Sequence, residues 1–200
     1  MICGEFGGLG AHPSMAASLA LRAAGAIGRG AVEAVGLIPA DAEGDRTLIA
    51  LAKAGVGHAA MLRGPYRPLE AADVDLAIRY LSEVRVLIAV DLAAAPLRAI
   101  ADGAGYAGAI AIILVTPGLE ATDSAQVAEE LPPEALPPEA LVLAAPARDL
   151  DGTFAGFVAA FAVRLDAGAP PADAWNATLG AMAVDSISPQ PGLRGRGSAR

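Results

Sequence analysis

The chain has 200 residues, of which 54% are hydrophobic and 18% are charged, and its formal net charge is −8. This length suits one domain with a substantial core and is short for two. The negative charge argues against a nucleic-acid surface, because phosphate binding requires clustered Lys and Arg. Cys3 is the only cysteine and there are two histidines, so neither an internal disulfide nor a metal site is predicted.

Two features bear on membranes and location. The most apolar stretch, residues 103–119, is short and is interrupted by glycines and a proline, so it does not predict a membrane span. The first 15 residues have no basic segment before an apolar one, so no secretory signal is predicted. We therefore expect a cytoplasmic protein that has no membrane partner.

The elements predicted in the first half of the chain alternate between helix and strand. Helix formers after a serine predict a helix over 14–25, which a β-branched strand over 30–38 follows. An amphipathic helix, closed by Gly55, is predicted over 43–55. Further helices are predicted over 72–83 and 95–105, and buried strands over 84–90 and 109–115. Near-continuous apolar strands between helices predict an α/β fold with a mainly parallel sheet flanked by helices on both faces. We expect 84–90 and 109–115 to be parallel neighbours.

The pattern changes after Pro117. Residues 131–141 repeat the unit LPPEA, and the paired prolines favour an extended connection. A short strand is then predicted over 141–145, followed by helices over 153–168 and 171–186. The chain is therefore predicted to be a single domain over 1–186 with a disordered tail over 187–200.

Four segments occur in an order that is typical of one protein family. Residues 7–26, GGLGAHPSMAASLALRAAGA, place a glycine-rich turn before an alanine-rich helix. Residues 35–56 are similar to the pattern VGxVGxDxxGxxLxxxLxxxGV. Residues 84–118 form a strand, helix and strand, and 151–184 are similar to a GAGDTFxGAF helix and its successor. Together these segments resemble the ribokinase-like, or PfkB, carbohydrate kinases.

The resemblance implies a phosphate site at the start of the helix predicted over 153–168. In the family, the GAGD glycines form an anion hole for the transferred phosphate, and the aspartate is the base toward a sugar hydroxyl. Here Asp149, Gly152 and Thr153 would hold the nucleotide phosphates. Alignment on Thr153 puts Gly152 at the base position, whereas a shift of one residue makes Asp151 the base. The alternative interpretation is an acidic first turn that caps a core helix.

The resemblance implies a sugar site at the glycine-rich turn, where Gly7, Gly8, Gly10 and His12 would contact the substrate. A flexible turn, with His12 serving only the turn, is the alternative. The spacing Gly8-x-Gly10-x-x-Pro13 also approaches a dinucleotide fingerprint. That interpretation is rejected because no strand is predicted before the turn and the third glycine is missing.

Several departures from the family pattern argue against full activity. Leu150 replaces a glycine, and Asp149 and Asp151 add negative charge where a nucleotide would bring more. The family's N-x-x-E motif has only Glu120 and Asp123 as loose counterparts. The chain starts almost at the glycine motif, so we expect the family's first strand to be absent, and the lid to be reduced or absent after residue 64.

Two functions follow from these expectations. The first is a carbohydrate-kinase-like protein in which phosphotransfer is weakened or lost, acting as a binding or assembly subunit. The alternative is an active kinase of a sugar or nucleoside hydroxyl, with Asp151 as the base. Mg-ATP is expected to bind weakly or not at all. Exposed sheet edges predict a homo-oligomer or a partner protein. Asp41 is predicted to cap a helix and Trp175 to lie in the core.

Overall fold

A computed structural model describes residues 1–7, 14–28, 31–64, 67–81, 83–117 and 140–187 of the chain. The strands are β1 (Ile2–Glu5), β2 (Glu33–Pro39), β3 (Gly57–Gly64), β4 (Val86–Val90), β5 (Ile110–Val115) and β6 (Leu141–Ala144). The helices are α1 (Met15–Ile27), α2 (Ala42–Ala54), α3 (Ala71–Tyr80), α4 (Ala94–Ala107), α5 (Thr153–Asp166) and α6 (Pro171–Ile187).

The six described strands form one parallel sheet in the order β3-β2-β1-β4-β5-β6. β4 and β5 are adjacent, with Val86 opposite Ile110 and Val90 opposite Leu114. This pairing confirms the prediction that 84–90 and 109–115 are parallel neighbours. The predicted α/β fold is confirmed as well.

Helices cover both faces of the sheet, and side chains alternate between two cores. On β4, Val86, Ile88 and Val90 belong to the core under α1 and α5, whereas Leu87 and Ala89 belong to the core under α3 and α4. A strand that is buried on both faces needs apolar residues at every position, which is why β4 and β5 are continuous apolar runs.

The expectation that no strand precedes the glycine motif is wrong. β1 lies at the centre of the sheet, with Ile2 opposite both Ala34 of β2 and Ile88 of β4. The strand has only four residues, ICGE, which is too short for a strand pattern to be recognised in the sequence. One reason for rejecting the dinucleotide fingerprint therefore fails, although the third glycine is still missing. Residues 8–13 lie outside the described part of the chain.

Local hydrogen bonds explain where the helices begin. The Ser14 hydroxyl accepts from Ala17 N at 3.2 Å at the start of α1. Asp41 caps α2, as predicted, by accepting from Glu43 N and Gly44 N, each at 2.9 Å. No helix in the described part of the chain combines the length and hydropathy that a membrane span requires.

The last two helices pack through aromatic side chains. Trp175 of α6 meets Phe157 and Phe161 of α5 edge to face, with ring centroids 4.8 and 5.4 Å apart. Aromatic pairs prefer edge-to-face arrangements with centroid distances in this range. Trp175 thus packs against the core, as predicted.

Candidate functional site

A cleft opens at the carboxyl edge of the sheet over the ends of β4, β5 and β6, next to the point where strand order reverses between β1 and β4. In open α/β sheets such a reversal leaves a crevice that commonly binds ligands. The cleft has a volume of about 330 Å³. It is lined by the start of α1 and by segments after β4, β5 and β6, namely Ser14, Met15, Ser18, Asp91, Thr116, Pro146, Ala147, Arg148, Asp149 and Leu150.

Asp91 follows β4 directly and has an unusual backbone conformation, with φ of 48°. Its Oδ1 accepts from Thr116 N at 2.7 Å, and its Oδ2 accepts from Thr116 Oγ1 at 2.9 Å. A non-glycine residue in the left-handed region costs on the order of 1–3 kcal/mol and persists where its surroundings hold it. Thr116, which is only 6% exposed, keeps Asp91 in this conformation through the two hydrogen bonds. The carboxylate is therefore fixed in one orientation.

The hydrogen bonds at the beginning of α5 show whether the N–H groups of its first turn are free to bind an anion. Asp149 Oδ1 accepts from Phe154 N at 3.0 Å, and its Oδ2 accepts from Ala155 N at 2.8 Å. Asp151 Oδ1 accepts from Thr153 N at 3.0 Å. These three N–H groups would otherwise be unpaired donors of the first turn. The protein's own carboxylates occupy the donors that an anion would use.

Hydrogen bonds at the start of α5 also lower the pKa of the Asp151 carboxyl. The N–H of Thr153 is the largest cause that lowers the pKa of the Asp151 carboxyl, and the Thr153 side chain adds to it. A donor to the charged form stabilises that form. Asp151 is thus a weaker base than an ordinary aspartate.

Gly152 has a structural reason to be glycine. Its φ is 70°, in the left-handed region, and a Cβ there would collide with the Arg22 guanidinium. Arg22 Nη2 donates to the Asp151 carbonyl at 2.9 Å, which fixes α1 against the start of α5. The turn and its neighbour explain this glycine without a ligand.

The predicted site residues fall into two groups. Asp149 lines the cleft, and Asp151, Gly152 and Thr153 follow it at the start of α5. On the sugar side, Gly7 O accepts from Ser14 N at 3.1 Å, and no residue in the described part of the chain lies within 4 Å of the position that a Gly7 Cβ would take. The other predicted residues, Gly8, Gly10, His12, Glu120 and Asp123, lie outside the described residues. So does the predicted tail 187–200, apart from Ile187, which is the last residue of α6.

The sequence did not single out Asp91, Thr116, Ser18 or Arg148 as candidates. An acid immediately after the run VLIAV was a usable signal, because residues at the carboxyl ends of parallel strands meet at one edge. Arg148 is exposed and has no hydrogen bond or ion pair to another described residue. Within the described ranges, no three His, Cys, Asp or Glu side chains converge as a metal site would need.

Comparisons with known proteins define the fold. No protein-family model and no curated protein matches the chain. Among solved structures, the protein Sa239 superposes with a TM-score of 0.59 at 13% identity, over 90% of this chain and 85% of that one. A PfkB protein from Polaromonas sp. JS666 gives 0.54 at 16% identity, over 94% and 92%. A fructokinase from Xylella fastidiosa gives 0.52 at 17% identity, over 86% and 79%.

These similarities show that the chain has a ribokinase-like α/β fold, that of the PfkB-type carbohydrate kinases. The sequence resemblance to that fold is thereby confirmed. Because a fold hosts many functions, the chemistry has to be argued from the site itself.

Proposed function

We propose that the chain is a ribokinase-like binding protein in which phosphoryl transfer is weakened or lost. One observation carries the proposal. The N–H groups of Thr153, Phe154 and Ala155, where the phosphate of a kinase of this fold would be held, are bonded to Asp149 and Asp151.

The physical reason is that phosphoryl transfer needs free donors and positive charge around the transferred group. At α5 a phosphate would have to displace two tethered carboxylates and would then lie beside their charges. The residues at the start of α5 therefore do not fit Mg-ATP.

The rival function, an active kinase of a sugar or nucleoside hydroxyl, requires Asp151 as the base. That carboxylate accepts from Thr153 N, and this bond lowers its pKa. Both effects hinder removal of a proton from a substrate hydroxyl. They support a capping role for Asp151.

The assembly part of the proposal is supported by strand β3. This strand spans Gly57–Gly64 and, among the described strands, pairs only with β2. Edge strands present unpaired backbone groups that favour association with another chain. We propose self-association or a protein partner. Light scattering that shows a stable monomer at high concentration would contradict self-association.

The test of the main proposal is calorimetric titration with Mg-ATP, followed by a phosphorylation screen over pentoses, hexoses and nucleosides. An active fructokinase, assayed in parallel, controls the screen. We expect no saturable Mg-ATP binding at micromolar concentration and no turnover. Micromolar binding with turnover that Asp151→Asn abolishes would overturn the proposal and establish the rival. Turnover that Asp151→Asn leaves unchanged would also overturn it, and would exclude Asp151 as the base.

A further inference from the structure

We propose that two copies of the chain associate through the outward face of α4, with the two α4 helices antiparallel about a two-fold axis. The inference rests on the self-association in the proposed function. It assigns that association a surface and an occupant, which is a second copy of the same helix.

The outward face of α4 is continuous and open to solvent. The opposite face of the helix is packed into the core under α3 and α4, with Leu97, Ile100 and Ala104 buried. The outward residues are all exposed, namely Ala95, Arg98, Asp102, Gly105 and Tyr106. The first four follow the alternating spacing of three and four residues with which two packed helices meet along a seam. A second helix can therefore lie along this face.

Arg98 and Asp102 make the charge pattern of the face self-complementary. They lie about one helical turn apart, and neither forms an ion pair with another described residue. With a two-fold axis at the level of Ile100, Arg98 of each copy lies opposite Asp102 of the other. A two-fold interface needs such reciprocal contacts, and complementary charges fix the register of the partners. The pattern thus matches a second α4 helix.

The position of the charge pair favours α4 over its neighbour α3. Asp75 and Arg79 on α3 have the same spacing and are also exposed. An axis midway between them would lie close to the end of α3, which stops at Tyr80, so only part of that helix could be paired. The axis between Arg98 and Asp102 lies near the middle of α4, and the whole helix can be paired.

The ends of the seam are complementary in size. The same axis places Ala95 of one copy opposite Gly105 of the other, where two small residues allow close approach. Tyr106 is 94% exposed and lies beside Gly105, so its ring can cover Ala95 of the second copy. Glycine within a helix is destabilising relative to alanine, and no described residue comes within 4 Å of the position that a Gly105 Cβ would take. Close approach of a second helix gives this glycine a role.

Charge reversal tests the pairing. Arg98→Asp leaves two acids on each seam and Asp102→Arg leaves two arginines, so like charges would face each other in either homodimer. Sedimentation velocity at a series of concentrations should show that each variant self-associates at least about tenfold more weakly than the wild type. An equimolar mixture of the two variants should form dimers again, because every acid then faces an arginine.

Two controls separate this contact from other effects. Circular dichroism checks that each variant is folded, and mixing would not restore association to misfolded chains. The matched control reverses the same residue types at the same spacing on α3, in Asp75→Arg and Arg79→Asp. These variants should associate like the wild type. Loss of association in the α3 variants but not in the α4 variants would overturn the assignment to α4.

The outcomes distinguish this inference from the proposed function. A dimer that both α4 variants leave intact would overturn the α4 surface alone, and self-association through another surface, such as the open edge of β3, would stand. A monomeric wild type would overturn the α4 surface together with self-association. Turnover with Mg-ATP by a dimer that the α4 variants disrupt would overturn only the loss of phosphotransfer.

Discussion

Asp91 and Thr116 join the carboxyl ends of two neighbouring strands through two hydrogen bonds, of 2.7 and 2.9 Å, to a single carboxylate. The pair fixes an acid in the left-handed region at the edge of the candidate cleft. Their contact thus connects the stability of the β4 and β5 ends with the shape of the site.

Thr116→Val should lower the free energy of unfolding by about 1.5–3 kcal/mol, because it removes a hydroxyl donor to a charged group at constant volume. Urea unfolding monitored by circular dichroism measures the change. The matched control is Thr47→Val, since Thr47 is also buried but donates to a backbone carbonyl, that of Glu43. The Thr47 variant should lose less. If both variants lose the same free energy of unfolding, the charge of Asp91 does not strengthen its hydrogen bond with Thr116.

Asp149→Ala should lower the free energy of unfolding by about 1–2 kcal/mol, because Phe154 N and Ala155 N lose their acceptor at the start of α5. Asp75→Ala, which removes an exposed acid on α3, controls for the change in net charge. Thermal and urea unfolding of both variants give the comparison. An Asp149 variant as stable as the wild type would contradict the capping role.

Gly152→Ala should be destabilising by about 1–2 kcal/mol from the left-handed backbone alone, with a further cost from Arg22. In an Arg22→Ala background only the backbone cost should remain, so the double-mutant cycle separates the two. Gly180→Ala is the matched control, because Gly180 lies within α6 and none of the described residues comes within 4 Å of the position that its Cβ would take. That variant should be neutral or more stable. If the effects of the two substitutions on the free energy of unfolding are additive, the contact with Arg22 adds no cost to Gly152→Ala.

Low pH should remove the stabilisation that the Arg67–Asp73 pair gives to the start of α3. Arg67 Nη1 and Nη2 donate to the two oxygens of Asp73 at 2.7 and 2.8 Å, and these bonds lower the pKa of the Asp73 carboxyl below its ordinary 3.8. A depressed folded-state pKa contributes stability that is fully present above the ordinary pKa and is lost as pH falls through the lowered one.

The check is urea unfolding of the wild type and of Arg67→Met from neutral to strongly acid pH. The Arg67 variant should be less stable at neutral pH, and the difference should shrink below pH 3.8 as Asp73 is protonated. Arg79→Met is the control and should show no such convergence. A difference that stays constant through the acid range would contradict the link to Asp73.

Strong local signals made much of the fold predictable. The apolar runs of β4 and β5 predicted strands buried on both faces, and Ser14, Asp41 and Gly55 marked helix ends through their known capping chemistry. β3 was not predicted, because GHAAMLRG has no β-branched residue and none of its residues is fully buried.

The site was less predictable because its geometry depends on residues far apart in the sequence. The acids before α5 were visible, but whether they leave its N–H groups free depends on the turn at Gly152 and on Arg22 of another helix. Asp91 gains its orientation from Thr116, 25 residues later. The spacing of residues along the sequence does not predict a contact of this kind. The roles assigned to Asp151 and to Gly7 stay predictions.

The central position of β1 has a consequence for how the chain folds. Ile2 pairs with Ala34 on one side but with Ile88 on the other, so the strand that is synthesised early needs a partner that is synthesised much later. Contacts between distant residues require loop closure before they stabilise the structure, and this slows folding. During synthesis, β1 can therefore complete its pairing only after β4 has left the ribosome. A strand edge that is unpaired in that interval favours aggregation of newly made chains.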